Sequence, residues 1–261
     1  MKHNKKISFG IIIQARMGSK RLPGKVLKAY KEISPLKLLI DRLSTFKFNK
    51  RNIIIATTTT KKDAPIINFC NSNRINYYRG KENDVLHRFY KTSLKFNIQN
   101  IIRITSDCPF VDLLTLKKMI KIFKQKKIDY LANTYPLPCT YPDGMDIEIF
   151  NFNTLKKTHL LAKLPSDREH VTKYMWGSKK FKCKKVDLRK NLSSYRITID
   201  TKRDYDLFKM IIDKFNYKKV KKINMFEIIN FIKKNKKRLK LQQKIKRNIG
   251  WKSSLIKDKK L

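Results

Sequence analysis

The run Ile7-Ser8-Phe9-Gly10-Ile11-Ile12-Ile13-Gln14, continuing directly into Ala15-Arg16-Met17-Gly18-Ser19-Lys20-Arg21-Leu22-Pro23-Gly24-Lys25, decides the fold. Its first half is short, apolar and β-branched, which predicts a buried strand. Its second half interleaves glycines, a proline and cations. A strand that opens into such a loop is how an open α/β sheet presents an anion site outside the carboxyl ends of its strands. Gly18 and Gly24 let main-chain amides approach a phosphate closely, and Arg16, Arg21 and Lys25 supply fixed positive charge for a triphosphate. The loop is not the G-x-x-x-x-G-K-[ST] pattern, because Val26 stands where that motif has the hydroxyl that holds magnesium. Metal ligands must therefore come from elsewhere in the chain.

Beyond the loop, apolar β-branched runs alternate with segments of helical period, the pattern of βαβ crossovers onto a mostly parallel sheet. Helices are expected at Leu36 to Phe48, from Asp63, at Glu82 to Phe96 and at Asp112 to Lys126. They alternate with strands at Asn52 to Thr57, Ile75 to Arg79 and Ile101 to Thr105. Pro109 ends the last of these at Ser106-Asp107-Cys108-Pro109. Further strands are read at Met145 to Phe150, Phe181 to Leu188 and Tyr195 to Ile199, with helices at Asn153 to Ala162, Arg168 to Gly177 and Asp204 to Phe215. Residues 1–232 read as one domain. From Lys233 cations dominate, so 233–261 reads as a basic C-terminal extension.

The formal net charge of +43 would by itself point to a polyanion. The excess is mostly lysine spread along the whole chain together with abundant Ile and Asn, which is the mark of compositional bias rather than of one binding face. The four cysteines, at 70, 108, 139 and 183, have no paired short spacing, so neither a zinc site nor a disulfide framework is expected. The apolar run at Ile11 to Ile13 is too short for a signal peptide, and no stretch approaches membrane-spanning length. A cytoplasmic protein without a membrane partner is the expectation.

Two aspartates fall at the ends of expected strands, Asp107 after Thr105 and Asp200 after Ile199. Either alone would be read as the cap of a following helix. Placed at the same sheet edge as a phosphate loop, they form a pair of hard oxygen ligands suited to Mg²⁺, which takes one or two carboxylates and fills its shell with phosphate and water.

The opening loop, the turn Ile104-Thr105-Ser106-Asp107-Cys108-Pro109 and the turn Ile199-Asp200-Thr201 together resemble the cytidylyltransferases that activate acidic sugars, the CMP-Kdo and CMP-sialic acid synthetases. The chain resembles most the spore coat polysaccharide biosynthesis protein F branch. The matching segments are Tyr78-Arg79-Gly80-Lys81-Glu82-Asn83-Asp84-Val85-Leu86, Pro142-Asp143-Gly144-Met145-Asp146-Ile147-Glu148, Arg168-Glu169-His170-Val171-Thr172 and Arg247-Asn248-Ile249-Gly250-Trp251-Lys252-Ser253. The resemblance implies a GT-A-like nucleotidyltransferase fold, with CTP, Mg²⁺ and a small-molecule acceptor as partners and a homodimer as the common assembly.

It assigns nucleotide binding to Gln14, Ala15, Arg16, Gly18, Ser19, Arg21, Lys25, Ala56, Thr57, Arg79, Gly80 and Thr105. Catalysis falls to Arg16, Arg21, Lys25 and Asp107, and the metal to Asp107 and Asp200. Acceptor binding is expected of Asp143, Asp146, Glu148, Arg168, Glu169 and His170. The acidic group is unlike a pocket for a sugar carboxylate: Asp146 and Glu148 alternate onto one strand face and suit a second metal or an amine or hydroxyl group. His170 either takes a proton or binds an anionic group. The chain departs from the acid-sugar enzymes at Thr105-Ser106-Asp107 and Lys202-Arg203, which leaves the acceptor open. Cys108 beside Asp107 lacks a partner base and reads as a small buried thiol.

Two other readings remain. A GT-A-like glycosyltransferase would need an Asp-x-Asp metal site after a strand, for which Asp204-x-Asp206 and Asp146-x-Glu148 are the nearest candidates. A nucleic-acid-binding protein would interleave aromatics with cations on a strand, whereas here Phe and Tyr fall at core-like spacing, so nucleic acid is not the expected partner.

Overall fold

The structure, a computed structural model, describes residues 6–46, 48–245, 247, 255 and 258. Strands β1 (Ile7–Gln14), β2 (Ile53–Thr58), β3 (Asn76–Gly80) and β4 (Ile98–Thr105) run parallel. Helices α1 (Pro35–Thr45), α2 (Ala64–Ser72) and α3 (Val85–Lys95) connect them. After α4 (Leu113–Gln125), the sheet is extended by β5 (Tyr130–Ala132), β6 (Glu148–Asn151) and β7 (Cys183–Lys185) in the order β3-β2-β1-β4-β6-β5-β7. Only β6 runs against the others. Because β1 lies between β2 and β4, the loops after β1 and β4 open side by side where the strand order reverses.

Side-chain alternation explains why the middle strands read as continuous apolar runs. Ile11 and Ile13 of β1 pack with Leu39, Ile66 and Leu116 from α1, α2 and α4, whereas Ile12 packs with Leu86 and Phe89 of α3. A strand covered on both faces needs no polar side. A third apolar cluster joins Phe110 and Ile197 to α8 (Lys202–Val220), α9 (Met225–Lys234) and α10 (Lys236–Gln243), with Phe208, Ile228 and Leu239 at its centre. Helix starts follow local chemistry: Ser34 accepts from the Lys37 amide before Pro35, and Asp84 and Asp112 cap α3 and α4.

Several expected elements differ. Helix α1 ends at Thr45, and Lys47, within the expected range, lies outside the described residues. The expected helix Arg168 to Gly177 is two short ones, α6 (Pro165–His170) and α7 (Lys173–Gly177), parted by Val171 at φ 63°. The segment Tyr195 to Ile199 is not a strand of the sheet. Arg196 forms an isolated bridge with Asp143, so its main chain is used by a loop. Strand β5 and helix α9 were not expected, although α9 carries a capping box between Asn224 and Glu227 and buries Met225, Ile228, Ile229 and Ile232 at helical spacing. Helix α5 (Phe152–Leu161) agrees with expectation to within a residue. Residues 236–243 are helical, with Leu239 and Gln242 buried against α8. Asn248, Gly250, Trp251 and Ser253 of the matched tail lie outside the described residues. No helix among the described residues is long and apolar enough to cross a membrane.

Arg42 of α1 ties the helical cluster to the sheet. It is fully buried and donates to the carbonyls of Val220, Val111 and Ile223, the last two at 3.0 and 2.9 Å. Burial pulls its pKa down to about 10, so it remains charged at neutral pH. Arg42→Met is expected to strand these carbonyls and lower unfolding stability by roughly 3 kcal/mol, read from urea denaturation with an unchanged slope.

Candidate active site

Lys25, held by the tight loop after β1, stands between two carboxylates. The turn that places it closes with Gly24, at φ 66°, donating to the Met17 carbonyl at 3.0 Å. The Lys25 Nζ lies 2.8 Å from Asp107 Oδ2 and 3.1 Å from Asp200 Oδ1. Asp107 follows β4, and its carbonyl accepts from the Ile199 amide at 2.8 Å, which fixes the distance between the two acids. Arg21 makes a further ion pair with Asp200. Burial alone would raise the Asp107 carboxyl, but the Lys25 ammonium outweighs it and holds Asp107 down at about 2. The same two acids raise the Lys25 pKa against its burial.

A second pair of acids lies beside the first. Asp143 and Asp146 belong to the turn at Pro142-Asp143-Gly144-Met145-Asp146, and Asp143 hydrogen-bonds to the extended segment before Asp200: it donates to the Tyr195 carbonyl and accepts from the Ile197 amide at 2.7 Å. Gly144 permits this approach. Its φ is 97°, and a Cβ there would meet the Thr198 nitrogen at 2.3 Å. Arg196 joins the two pairs: Nη1 lies 2.5 Å from Asp143 Oδ2, Nε and Nη2 hold Asp204 at 2.9 and 3.0 Å, and Nη2 is 3.7 Å from Asp200. Arg247 makes an ion pair with Asp146 at 2.6 Å. Burial and the neighbouring Asp146 still push Asp143 up to about 6, and Asp146 is raised by burial in spite of Arg247.

The structure does not gather every expected site residue at this point. Arg16 pairs with Glu82 at 3.0 Å across the opening, and the Met17 amide donates to Asp63 at 2.7 Å. Ser19 caps the loop by accepting from Leu22, and Gly18 is open on its Cβ side apart from Glu82 Oε1 at 3.7 Å. The Gln14 side chain accepts from Arg103 Nη2 at 3.0 Å, and Thr105 Oγ1 lies 3.1 Å from Cys108 Sγ. Ala15 donates to the Ala56 carbonyl, while Ala56 and Thr57 are buried at the end of β2. Arg79 turns back onto the carbonyls of Thr58 and Thr59, and the Gly80 carbonyl accepts from Thr59. Arg168 is committed to Asp84, with Nε 3.1 Å and Nη2 2.5 Å from its two oxygens; it lines an open groove of about 500 Å³ with Glu82 and Asp84.

Glu148 departs from the expected acceptor role. It is 1% exposed, pairs with Arg103 across the β4–β6 ladder, and accepts from Tyr130 at 2.6 Å and from Thr172. Both oxygens are engaged inside the protein. Glu169 and His170 end α6. Burial, then Arg103 and Lys173, hold His170 down at about 4, so it is neutral at pH 7 and cannot serve there as a cation for an anionic group. Cys108 is a buried thiol raised well above its usual range by burial, as the sequence suggested. Arg196 was overlooked, although Arg196, Thr198 and Asp200 alternate onto one side of an extended segment, a signal that would have found it.

These features, a mostly parallel sheet carrying a cationic loop and paired carboxylates at its carboxyl edge, are those of a nucleotidyltransferase. The chain belongs to the cytidylyltransferase family, whose family model matches residues 10–245. It is 35% identical over 210 residues to the spore coat polysaccharide biosynthesis protein SpsF of Bacillus subtilis, covering 78% of this chain and 85% of that protein. It is similar to a solved cytidylyltransferase from Leptospira borgpetersenii serovar Hardjo-bovis, with TM-score 0.82 and 35% identity over 88% of this chain and 96% of that one. Its fold is also that of CMP:2-keto-3-deoxy-manno-octonic acid synthetase, with TM-score 0.57 and 14% identity over 79% and 99% of the two chains.

Two outcomes follow from this geometry. Gly144→Ala is expected to push the turn off Thr198, lowering stability by about 2 kcal/mol or more and removing nucleotide transfer, as measured by denaturation and pyrophosphate release. For His170 the folded pKa lies below the unfolded value, so the unfolded chain binds the proton more readily and stability falls as pH drops from roughly 6.5 toward 4. His170→Gln is expected to flatten that part of a melting-temperature profile; a profile identical to that of the parent protein would contradict the assignment.

Proposed function

We propose that the protein is a magnesium-dependent cytidylyltransferase that transfers CMP from CTP to a sugar acid or related acceptor and releases pyrophosphate. The observation that carries this reading is the Lys25 ammonium between Asp107 and Asp200. Two carboxylates that converge on one cation have the geometry and the hard oxygen donors that Mg²⁺ takes. Among the described residues no group of three or more His, Cys, Asp or Glu could hold a metal alone. A two-carboxylate site completed by substrate phosphate and water fits that donor set. When bound, the ion would supply charge neutralisation at the phosphates.

The protein's own residues account for the rest. Lys25, Arg21 and Arg16 neutralise the triphosphate and the departing pyrophosphate, while main-chain groups at the ends of β2 and β3 meet the base. The acceptor enters on the side of Asp143 and Asp146. Its hydroxyl oxygen bonds to the α-phosphorus, the bond from that phosphorus to the bridging oxygen breaks, and the hydroxyl proton passes to Asp143. A carboxyl near 6 is well placed to take a proton close to neutral pH. Family membership supports the nucleotide, and the resemblance to SpsF supports surface polysaccharide precursor synthesis as the setting. The glycosyltransferase alternative loses support because Asp204 is buried against Arg196 and Glu148 against Arg103.

The test compares CTP, UTP, ATP and GTP by thermal shift with and without Mg²⁺. At one hundred times Kd, CTP with Mg²⁺ is expected to add about 2.7 kcal/mol of stability, and Asp107→Asn and Asp200→Asn should each diminish it. Stabilisation by UTP or a UDP-sugar alone would transfer the protein to the glycosyltransferases. An equal response to every polyanion would assign the effect to net charge.

A further inference from the structure

Arg247 lies far along the chain from the other site residues, yet its side chain is only 15% exposed. Its guanidinium spans both acids of the acceptor side. Nη2 lies 2.6 Å from Asp146 Oδ1, Nε lies 3.6 Å from Asp143 Oδ1, and Nη1 donates to the Tyr141 carbonyl at 3.1 Å while lying 2.8 Å from Cys139 Sγ. Asp258, also beyond α10, has partners of its own. Asp258 accepts from the Ser166 amide at 2.9 Å and from its hydroxyl, and lies 3.7 Å from Lys173. Ser166 belongs to α6, the element that carries Arg168, Glu169 and His170. Arg247 is therefore tied to the Asp143–Asp146 turn, and Asp258 to α6.

Electrostatics gives the first tie a purpose. Asp143 has Arg196 as a direct partner, whereas the ion pair of Asp146 is with Arg247. The other charges that bear on Asp146 include Glu148 and Asp107, both of its own sign. Without Arg247 the half-buried Asp146 carboxylate would face like charges and either take a proton or swing out of the turn. Asp146 keeps its charge and place because Arg247, distant in sequence, supplies a cation to it.

We propose that Arg247 walls the acceptor site on the side of Cys139 and Tyr141, and that it is a positioning residue that holds Asp143 and Asp146 where the acceptor binds. The identity of that pocket as an acceptor site rests on the cytidylyltransferase reading; the docking of Arg247 over Cys139 and Asp146 does not. Because both acids are compensated by arginines, the pocket suits an acceptor presenting hydroxyl or carboxylate oxygens, not one anchored by an amine.

The experiment uses the full chain, with Arg247→Ala and Arg247→Lys compared with the parent protein. Pyrophosphate release from CTP and Mg²⁺ is measured with a panel of sugar acids that includes Kdo and N-acetylneuraminate. Arg247→Ala is expected to raise the acceptor KM about tenfold while the CTP KM stays within roughly twofold, with lysine intermediate and added guanidinium at about 50 mM restoring part of the loss. Both constants unchanged, both moving together, or no recovery with guanidinium would overturn the proposal. A second readout needs no acceptor. In a Cys183→Ser background, Arg247→Ala should let an aromatic disulfide reagent label Cys139 roughly tenfold faster, and equal labelling rates would overturn the docking. A parent protein that shows no CTP-dependent thermal shift would refute the cytidylyltransferase reading instead, leaving the labelling comparison intact.

Discussion

Carboxylates at the carboxyl edge of this sheet are too enclosed to stand unpaired, and that requirement organises the site. Asp107, Asp143, Asp146, Asp200 and Asp204 come from three stretches of chain, and each has a cation within ion-pair distance. The cations arrive from three other places: Lys25 and Arg21 from the loop after β1, Arg196 from the extended segment before Asp200, and Arg247 from beyond α10. Removing one partner from a buried pair leaves a charge whose desolvation is no longer offset. The cluster is therefore a cooperative unit, and the segments that contribute to it are fixed relative to one another by charge as well as by apolar packing.

Arg196 is the centre of that unit. Its two-pronged pair with Asp204 belongs to the capping box that starts α8, in which Thr201 caps the helix and Asp204 accepts from the amides of Asp200 and Thr201. Gln242 of α10 donates to Asp204 and to the Arg196 carbonyl. The helical cluster thus reaches the site through one guanidinium. What would pass from sequence as an ordinary helix start is also the mount for Asp200, whose side chain faces Lys25. Resting ion pairs of this sort pre-place the cations. In the proposed reaction Lys25 and Arg21 would only exchange one set of oxygens for another, with little reorganisation of the backbone.

The parts of this structure that could be read from sequence are those set by local periodicity. Strands β1 to β4 and helices α2 to α5 obey it, since each buries a face against its neighbours in order along the chain. The position of Asp107 was also readable, because a strand end followed by an aspartate is a local event, whereas Asp200 was reached through a strand that the structure does not form. Reading failed where the determinant is distant. Tyr195 to Ile199 has the alternation of a strand, but its hydrogen bonds go to a turn fifty residues earlier, through a glycine whose positive φ no local pattern announces. Glu148 looked available because it is acidic and sits near Asp146. Its true partner, Arg103, is opposite it on the next strand, and nothing in a single sequence states that register. Val171 breaks the expected long helix by taking a conformation that a β-branched residue rarely adopts.

The composition gives the site its contrast. With 63 basic and 20 acidic residues, cations on this chain carry little positional information, whereas acids carry a great deal. Asp63, Asp84 and Asp112 accept main-chain amides at loop and helix starts, and Glu148 is locked beneath the sheet edge. The five aspartates of the cluster lie beside the cationic loop after β1. A polyanion-binding surface would need none of them there, because carboxylates beside a cationic loop oppose non-specific attraction. They suit the proposed reading, in which a cation and a phosphate-bearing substrate would share the site. The positive charge spread over the rest of the surface can speed the approach of such an anion, but the arrangement of acids is what distinguishes a binding geometry from a merely basic protein.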